Sequence, residues 1–207
     1  MGRLIVLCLI FLSVIFLPAN ASAIFGEVWS TDAYNSALDP FIGPPYAKPD
    51  ATFDVESINF NSQAKNVSFD EFLNFPDWIT PSGSEFGKKK MFENNGQGNG
   101  DEGIFFRFTW ELYLSPGSLP VTIVHDDGFF LRFSTGQSVN SPGQFQEPQI
   151  SKFDLAVPSP GNYTVILNYG ALNDTDSHVL IFRTPEPGSM LLFALGIVGL
   201  GVLRRRH

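Results

Sequence analysis

The chain has 207 residues, 43% of them hydrophobic, which is enough to build the core of one domain of ordinary size. Its formal net charge of −8 makes nucleic acid a poor partner. The composition includes 21 Phe, 19 Gly and 15 Pro, which favours a sheet protein with many turns over a helical protein.

The N-terminal residues 1–23 are predicted to be a signal peptide. Arg3 supplies a positive charge and a mostly apolar stretch follows it. Ala21 and Ala23 then form the small-x-small pattern that a signal peptidase requires. We therefore expect cleavage before Ile24, and an uncleaved N-terminal anchor is the alternative.

Cleavage there would leave a chain without cysteine, because the only cysteine is Cys8 in the apolar stretch. No disulfide would then support the mature fold. Residues 24–184 contain twenty acidic and nine basic residues, a net charge of −11. We expect one acidic domain over residues 24–183, held together by its apolar core.

The first half of this domain gives mixed signals. Residues 24–29 are predicted to form a strand, and residues 34–50, with four prolines, to form a loop or an extended arm. Residues 52–60 alternate with one slip, which indicates a strand with a β-bulge. Ser68 and Glu71 have capping-box spacing, so one or two helical turns should follow Ser68.

Two polar segments follow the predicted helix. The Lys88-Lys89-Lys90 run lacks interleaved aromatic residues, so we interpret it as a solvated turn and not as a face that binds an acidic polymer. Residues 94–101 are rich in glycine and asparagine. A single copy of such a run cannot build stacked calcium-binding turns, and we expect a flexible loop.

The second half of the domain reads as a series of strands. Apolar residues alternate over 104–114, and a second strand is predicted over 121–133. A connection rich in Pro and Gln covers residues 137–149. Further strands are predicted over 153–157, 163–169 and 178–182. Together these patterns predict an all-β fold, an antiparallel, jelly-roll-like β-sandwich with one short helix.

A strand that leads into Asp126-Asp127-Gly128, then continues to Phe133 and a glycine turn, resembles the Asp-Asp-Gly hairpin of the protective-antigen-like β-sandwich domain. The similarity covers about residues 103–183. It implies a sugar-binding module in which Asp126 and Asp127, joined by a cis peptide, hold Ca²⁺. The simpler interpretation is that Asp127 and Gly128 turn the chain.

Calcium requires roughly six to eight oxygen ligands, so two carboxylates alone are not a complete site. The polar loop with Asn173, Asp174 and Asp176 has the composition to supply further oxygens. No family motif connects this loop to the aspartate pair. The sequence therefore leaves the Ca²⁺ ligand set open.

The same residues argue against an enzyme. His125 and Asp126 are neighbours on a predicted strand, where their side chains should point to opposite faces, and we expect His125 at the surface. Asp126 and Asp127 are adjacent instead of facing each other across a cleft of about 5–10 Å, as two glycosidase carboxylates would. A glycoside hydrolase is the weakest alternative.

The C-terminal residues 184–207 form a distinct segment. Pro185, Glu186 and Pro187 favour an extended backbone. The uncharged residues 190–203 would span about 21 Å as a helix, less than the ~30 Å hydrocarbon core of a membrane. The segment ends with Arg204, Arg205 and Arg206, which should stay on the cytoplasmic side.

This order of motif, short apolar helix and arginine cluster resembles the PEP-CTERM sorting signal of bacterial proteins. The resemblance implies a transmembrane helix at 190–203, anchorage in the inner membrane before processing, and cleavage by an exosortase-type enzyme. It also implies residence at the cell surface or in an extracellular matrix.

These features suggest an exported, non-catalytic module that binds extracellular polysaccharide, with or without calcium. The alternative from another class is a structural matrix or surface-coat protein without a small-molecule ligand.

Overall fold

The computed structural model describes residues 23–30, 33–45, 47–62, 67–92, 103–172 and 178–184. Short helices are few and antiparallel strands dominate, so the all-β class that the sequence predicts is confirmed. In chain order the elements are β1 (Ile24–Trp29), α1 (Tyr34–Leu38), a 3₁₀ turn (Pro40–Ile42), β2 (Ala51–Val55), β3 (Asn59–Ser62), α2 (Phe69–Phe72), β4 (Asp77–Trp78), α3 (Gly83–Gly87), β5 (Gly103–Leu114), β6 (Gly117–Phe133), β7 (Ser138–Val157), β8 (Gly161–Leu172) and β9 (His178–Arg183).

The strands form one curled antiparallel sheet in the order β3-β9-β6-β8-β5-β1-β2-β4. Residues 122–125 of β6 pair with β7 along one edge and with β9 along the other edge. Along its other edge β6 changes partner. Residues 122–125 pair with β9 and residues 129–133 pair with β8. The sheet therefore divides into two layers along β6.

The two layers face each other across an aromatic core. Phe60 on β3 lies 5.5 Å from Phe108 on β5, between ring centres, and Trp110 on β5 lies 5.0 Å from Phe182 on β9. The alternation predicted for β5 holds, because Ile104 and every second residue to Trp110 are buried in this core. The core supplies the apolar burial on which a fold of this size depends.

Residues 34–50 differ from the prediction of a loop or arm. The prolines there do not prevent helix formation, because Pro40 occupies the first position of the 3₁₀ turn, where its fixed φ fits. The Asp39 side chain caps this turn by accepting a hydrogen bond from the Phe41 N–H at 3.2 Å. α1 lies directly on β8, where a Cβ on Gly170 would stand 1.9 Å from the carbonyl oxygen of Ala37.

The prediction of one bulged strand over residues 52–60 is wrong. The chain forms two strands there, since β2 pairs with β1 in one layer and β3 pairs with β9 in the other. The slip in the alternation marks the crossing between layers. The predicted connection at residues 137–149 is also wrong, because β7 runs through it. Pro142 and Pro148 are tolerated because β6 is the only partner of β7 within the described chain.

The predicted helical turn at Ser68 is confirmed together with its capping box. The Ser68 Oγ accepts a hydrogen bond from the Glu71 N–H at 3.2 Å, and a Glu71 carboxylate oxygen accepts one from the Ser68 N–H at 2.7 Å. Lys88 and Lys90 are solvated as predicted, with exposed ion pairs to Glu85 and Glu71. Such pairs contribute little to stability.

Several predictions fall outside the described residues. They are the signal peptide as far as residue 22, the loop at 94–101, and the tail from residue 185 onward with its predicted helix. Ala23 is described and is exposed beside the start of β1. Among the helices of the described ranges, none has the length and apolar character needed to cross a bilayer.

Candidate functional site

Asp126 and Asp127 lie inside β6, and both are buried, with 3% and 2% of their surface exposed. The interpretation of Asp127-Gly128 as a chain turn is therefore wrong, because the β6–β7 turn lies at residues 134–137. Pairing with β7 shifts register on both sides of Asp127. Such irregularities re-aim side chains, which is how two adjacent residues both become buried.

Asp126 joins β6 to the ends of two other strands. One carboxylate oxygen accepts a hydrogen bond from the Tyr169 hydroxyl, and the other accepts one from the Val179 N–H at 2.9 Å. The Tyr169 ring itself packs in the core, 6.2 Å from the ring of Phe106 between centroids. Asp126 thus connects the aromatic core to the beginning of β9.

Asp127 acts on the neighbouring strand end, because its Oδ2 accepts a hydrogen bond from the Leu172 N–H at 2.8 Å. The pair therefore holds the last residue of β8 and the second residue of β9, on both sides of residues 173–177. We call Asp126, Asp127, Tyr169, Leu172 and Val179 the strand fork. Among the described residues, no strand pairs with Asp126 and Asp127 along this edge of β6, and their carboxylates accept hydrogen bonds from the backbone N–H groups of Leu172 and Val179.

The electrostatics of the fork follow from its burial. Burial raises the pKa of Asp126 to about 6, although the hydrogen bonds from Tyr169 and Val179 oppose this change. Burial also raises the pKa of the Tyr169 hydroxyl well above its ordinary value, and the charges of Asp126 and Asp127 act in the same direction. Tyr169 is therefore a hydrogen-bond donor at any physiological pH.

The expectation that His125 is a surface residue is wrong, since only 1% of it is exposed. Its Nδ1 lies 2.7 Å from the Asp127 carbonyl oxygen and its Nε2 lies 2.9 Å from the Ser151 Oγ. A carbonyl can only accept, so Nδ1 carries the proton. Burial lowers the pKa of His125, and Nε2 of the neutral ring then accepts a hydrogen bond from the Ser151 hydroxyl. His125 supports the bulge of β6 from inside.

The oxygen atoms of the fork are of the type that Ca²⁺ prefers as ligands. Asp126 and Asp127 offer hard carboxylate oxygens, and an oxygen that accepts one hydrogen bond keeps a second lone pair. The described residues contain no cis peptide, so the cis bond implied by the resemblance is absent between the two aspartates. No group of three His, Cys, Asp or Glu in the described ranges is placed to hold a metal, so the two aspartates by themselves are not a complete Ca²⁺ site.

The predicted loop residues Asn173, Asp174 and Asp176 lie outside the described residues. The structure does describe the two residues that the aspartates hold, Leu172 and Val179, and these flank that loop. This connection could not be predicted from the sequence, because the partners are backbone N–H groups, which any residue type except proline carries.

Sequence reasoning also missed Asn168, a polar residue that is buried on β8. Its Oδ1 accepts a hydrogen bond from the Arg107 Nε at 3.2 Å, and its Nδ2 donates one to the Pro40 carbonyl oxygen at 3.0 Å. Asn168 faces away from the aromatic core, since its neighbours Leu167 and Tyr169 face into it.

Comparison with protein families confirms the predicted sorting signal. A model described as the PEP-CTERM protein-sorting motif matches residues 183–206. The chain thus carries a PEP-CTERM motif, which indicates export, transient membrane anchorage and processing by an exosortase. The residues that carry the motif, Pro185, Glu186, Pro187 and Arg204 to Arg206, lie outside the described residues. No curated protein matches the chain.

Solved structures with a similar fold include PA14 domains, as the resemblance to the protective-antigen-like domain predicts. The PA14 domain of the MpAFP antifreeze protein has a TM-score of 0.56 and 14% identity, over 81% of this chain and 83% of that one. A PA14 sugar-binding domain from an RTX adhesin has a TM-score of 0.52 and 18% identity, over 81% of this chain and 92% of that one.

The A domain of epithelial adhesin 9 from Candida glabrata, solved with Galb1-4GlcNAc, has a TM-score of 0.51 and 10% identity, over 82% and 85% of the two chains. At these identities the three similarities show the fold alone. They show that the chain shares the fold of PA14 domains, which is β-sandwich-like, over about four fifths of its length.

Proposed function

We propose that the chain is an exported, non-catalytic carbohydrate-binding module that works at the cell surface or in the exopolysaccharide matrix of a bacterium. The observation that carries this proposal is the combination of a PEP-CTERM sorting motif with a PA14-like fold. The motif supports export, and a sugar-binding adhesin domain of the same fold is matched over nearly its whole length. Polysaccharide is the abundant ligand in that location.

Calcium-dependent binding at the strand fork is the finer part of the proposal. Asp126 and Asp127 would hold the cation together with oxygens from residues 173–177, including Asn173, Asp174 and Asp176. The support is that the two aspartates hold both ends of that loop through Leu172 and Val179. A bound cation would supply a fixed positive centre for sugar hydroxyls.

The calcium site is tested by calorimetric titration of the purified protein, first freed of metal with EDTA. We expect heat from a saturable site in the wild type and none in Asp127→Asn, which keeps the size of the side chain but removes its charge. Asp154→Asn is the matched control, because Asp154 is exposed on β7. Absence of heat in the wild type, or equal heat in a folded Asp127→Asn protein, contradicts the calcium site.

Sugar binding is tested separately by co-sedimentation with polysaccharides, in calcium and in EDTA. Retention in calcium only supports binding through the fork, and retention in both supports binding elsewhere on the module. Lack of retention by every polysaccharide contradicts the module and favours the alternative, a structural coat or matrix protein. Release of reducing sugar from a bound polysaccharide would instead support the glycoside hydrolase alternative.

A further inference from the structure

The face of the sheet that points away from the aromatic core carries a cluster of cationic and aromatic side chains. The strand register places Arg107 on β5 opposite Asn168 on β8, and Asn168 opposite Phe130 on β6. Arg132 lies two residues further along β6 on the same face. Phe41 reaches the same place from the 3₁₀ turn. We call Phe41, Arg107, Phe130, Arg132 and Asn168 the outer-face patch.

The buried Asn168 amide fixes both sides of this patch. It accepts a hydrogen bond from the Arg107 Nε and donates one to the Pro40 carbonyl, so the guanidinium and the 3₁₀ turn are held in a defined relation. Only the Nε of Arg107 is used in this bond. One of its terminal nitrogens lies 3.8 Å from a Cβ built on Gly43.

The aromatic side of the patch is presented to solvent. Phe41 is 59% exposed and the adjacent Ile42 is 60% exposed. The Phe41 ring contacts the half-buried Phe130 ring edge to face, with centroids 5.1 Å apart. Such a contact supports an aromatic ring that has one face open. An open aromatic face beside a hydrogen-bonding group suits a sugar ring, which presents C–H groups on one side and hydroxyls at its edge.

The charge of the patch is unusual for this domain. Residues 24–184 carry a net charge of −11 and contain only three arginines, Arg107, Arg132 and Arg183. Two of the three share the patch. Burial lowers the pKa of Arg107, the charge of Glu27 on β1 opposes that shift, and the charge of Arg132 adds to it, so the two guanidinium groups are close enough to repel.

Within the described residues, neither guanidinium forms an ion pair. The ion pairs of the described residues are formed by lysines, and neither Arg107 nor Arg132 has a carboxylate within 4.0 Å in that part of the chain. Glu27, opposite Arg107 in the register, and Glu111, further along β5, are acidic residues on this face. Asp54 on β2 and Asp77 on β4 lie on the same face, on the far side of β1 from Arg107. A half-buried cation near a like charge favours the binding of an external anion. A carboxylate is a suitable anion, because its two oxygens can accept two parallel hydrogen bonds from one guanidinium group.

We propose that the outer-face patch binds polysaccharide that carries carboxylate groups, that is, chains with uronic acid residues. Arg107 and Arg132 would bind the carboxylates, and Phe41 would pack against a sugar ring. The site is separate from the strand fork and needs no metal. This inference rests on the proposed function in that it names the class of polysaccharide that the module binds.

The test is binding of the purified full chain to polygalacturonate in EDTA, at low and at high salt. The matched ligand is the same polymer with its carboxylates methyl-esterified. We expect Arg107→Gln to weaken binding about tenfold or more, the loss expected for a hydrogen bond to a charged group. Arg132→Gln should weaken it less, and high salt should weaken the wild type.

Lys152→Gln is the control variant, because it removes one exposed positive charge at the other end of the β6–β7 hairpin and should bind as the wild type does. Thermal unfolding of each variant shows that it is folded. Arg132 is exposed, so Arg132→Gln keeps the test valid if Arg107→Gln does not fold.

Equal binding of the esterified polymer, tighter binding of dextran sulfate, or unchanged binding by both arginine variants overturns the carboxylate site. Retention of a neutral polysaccharide in calcium without binding of polygalacturonate overturns this site alone and leaves the proposed function standing. Absence of binding to every polysaccharide, in calcium and in EDTA, overturns both.

Discussion

The strand fork and the outer-face patch place charged residues in opposite situations. At the fork, two aspartates are almost completely buried, and their oxygens accept hydrogen bonds from Tyr169, Leu172 and Val179. At the patch, two arginines lie partly or fully in solvent without an ion pair in the described chain. The fork carboxylates accept hydrogen bonds from neighbouring strands, while the arginines of the patch reach solvent.

This difference has an energetic reason. A buried carboxylate must satisfy its lone pairs within the protein, because water is absent and an unmade bond costs about 1–3 kcal/mol. An exposed guanidinium is solvated and loses little when no protein partner is present. Substitutions at the fork should therefore affect folding first, and substitutions at the patch should affect binding first.

Asp126→Ala should have the largest effect on stability. It leaves the Tyr169 hydroxyl and the Val179 N–H buried without their acceptor, and we expect a loss of about 2–5 kcal/mol in the free energy of unfolding. The measurement is urea unfolding at pH 5, where protonation removes most of the cost of burying the charge. Asp154→Ala is the exposed control, and a loss below 1 kcal/mol in Asp126→Ala would show that the fork does not hold the strands.

The pH dependence of stability tests the same carboxylate. Its pKa is about 6 in the folded protein against an ordinary value of 3.8, so the folded state binds more protons between these values. In EDTA, the contribution of this group to the free energy of unfolding should be largest below about pH 4. It should fall by about 2–3 kcal/mol as the pH rises through 6.

Urea unfolding of wild type and Asp126→Asn over pH 4–7 isolates this contribution, since the other titrating groups are common to both proteins. The difference between the two curves should change between pH 4 and 6 and then level off. A difference that stays constant over the whole range contradicts a raised pKa at Asp126.

Asn168→Ala should have an intermediate effect on stability and should also weaken binding. It removes the hydrogen bonds to Arg107 and Pro40, and we expect a loss of about 1–2 kcal/mol in stability. Binding of polygalacturonate should weaken as well, because the guanidinium and the 3₁₀ turn lose their common support. Unchanged binding in a destabilised protein would limit Asn168 to a structural role.

Arg132→Gln should have the smallest effect on stability, within about 0.5 kcal/mol of the wild type, because the side chain is exposed. Its effect should appear in binding to the polyuronate instead. A marked loss of stability in this variant would mean that the patch is a structural feature like the fork.

The architecture could be predicted where the sequence alternates over a single buried face. β5 was predictable because its residues face the core with period two, and the turn at Ser68 because a capping box is a local pattern. Only the end of β7, residues 153–157, was predictable, because Phe153, Leu155 and Val157 alternate toward the core. The earlier part of β7 is an edge strand with two prolines, and no apolar period marks it.

The site could be predicted only in part. Asp126 and Asp127 were identifiable as a pair from resemblance, but their burial depends on β6 changing partner between β9 and β8. His125 is buried because it continues the alternation of Val121 and Ile123, which face the core. Asn168 and Arg107 come together across two strands whose pairing is not local, so their contact has no signal within either segment.

The most direct test of the central claim is affinity electrophoresis of the purified wild-type protein through gels that contain the exopolysaccharide of the producing bacterium, with calcium or with EDTA. An exported carbohydrate-binding module should migrate more slowly as the polysaccharide concentration rises, relative to a non-binding protein of similar size and charge. Unchanged mobility at every concentration, in both conditions, would contradict the proposed function.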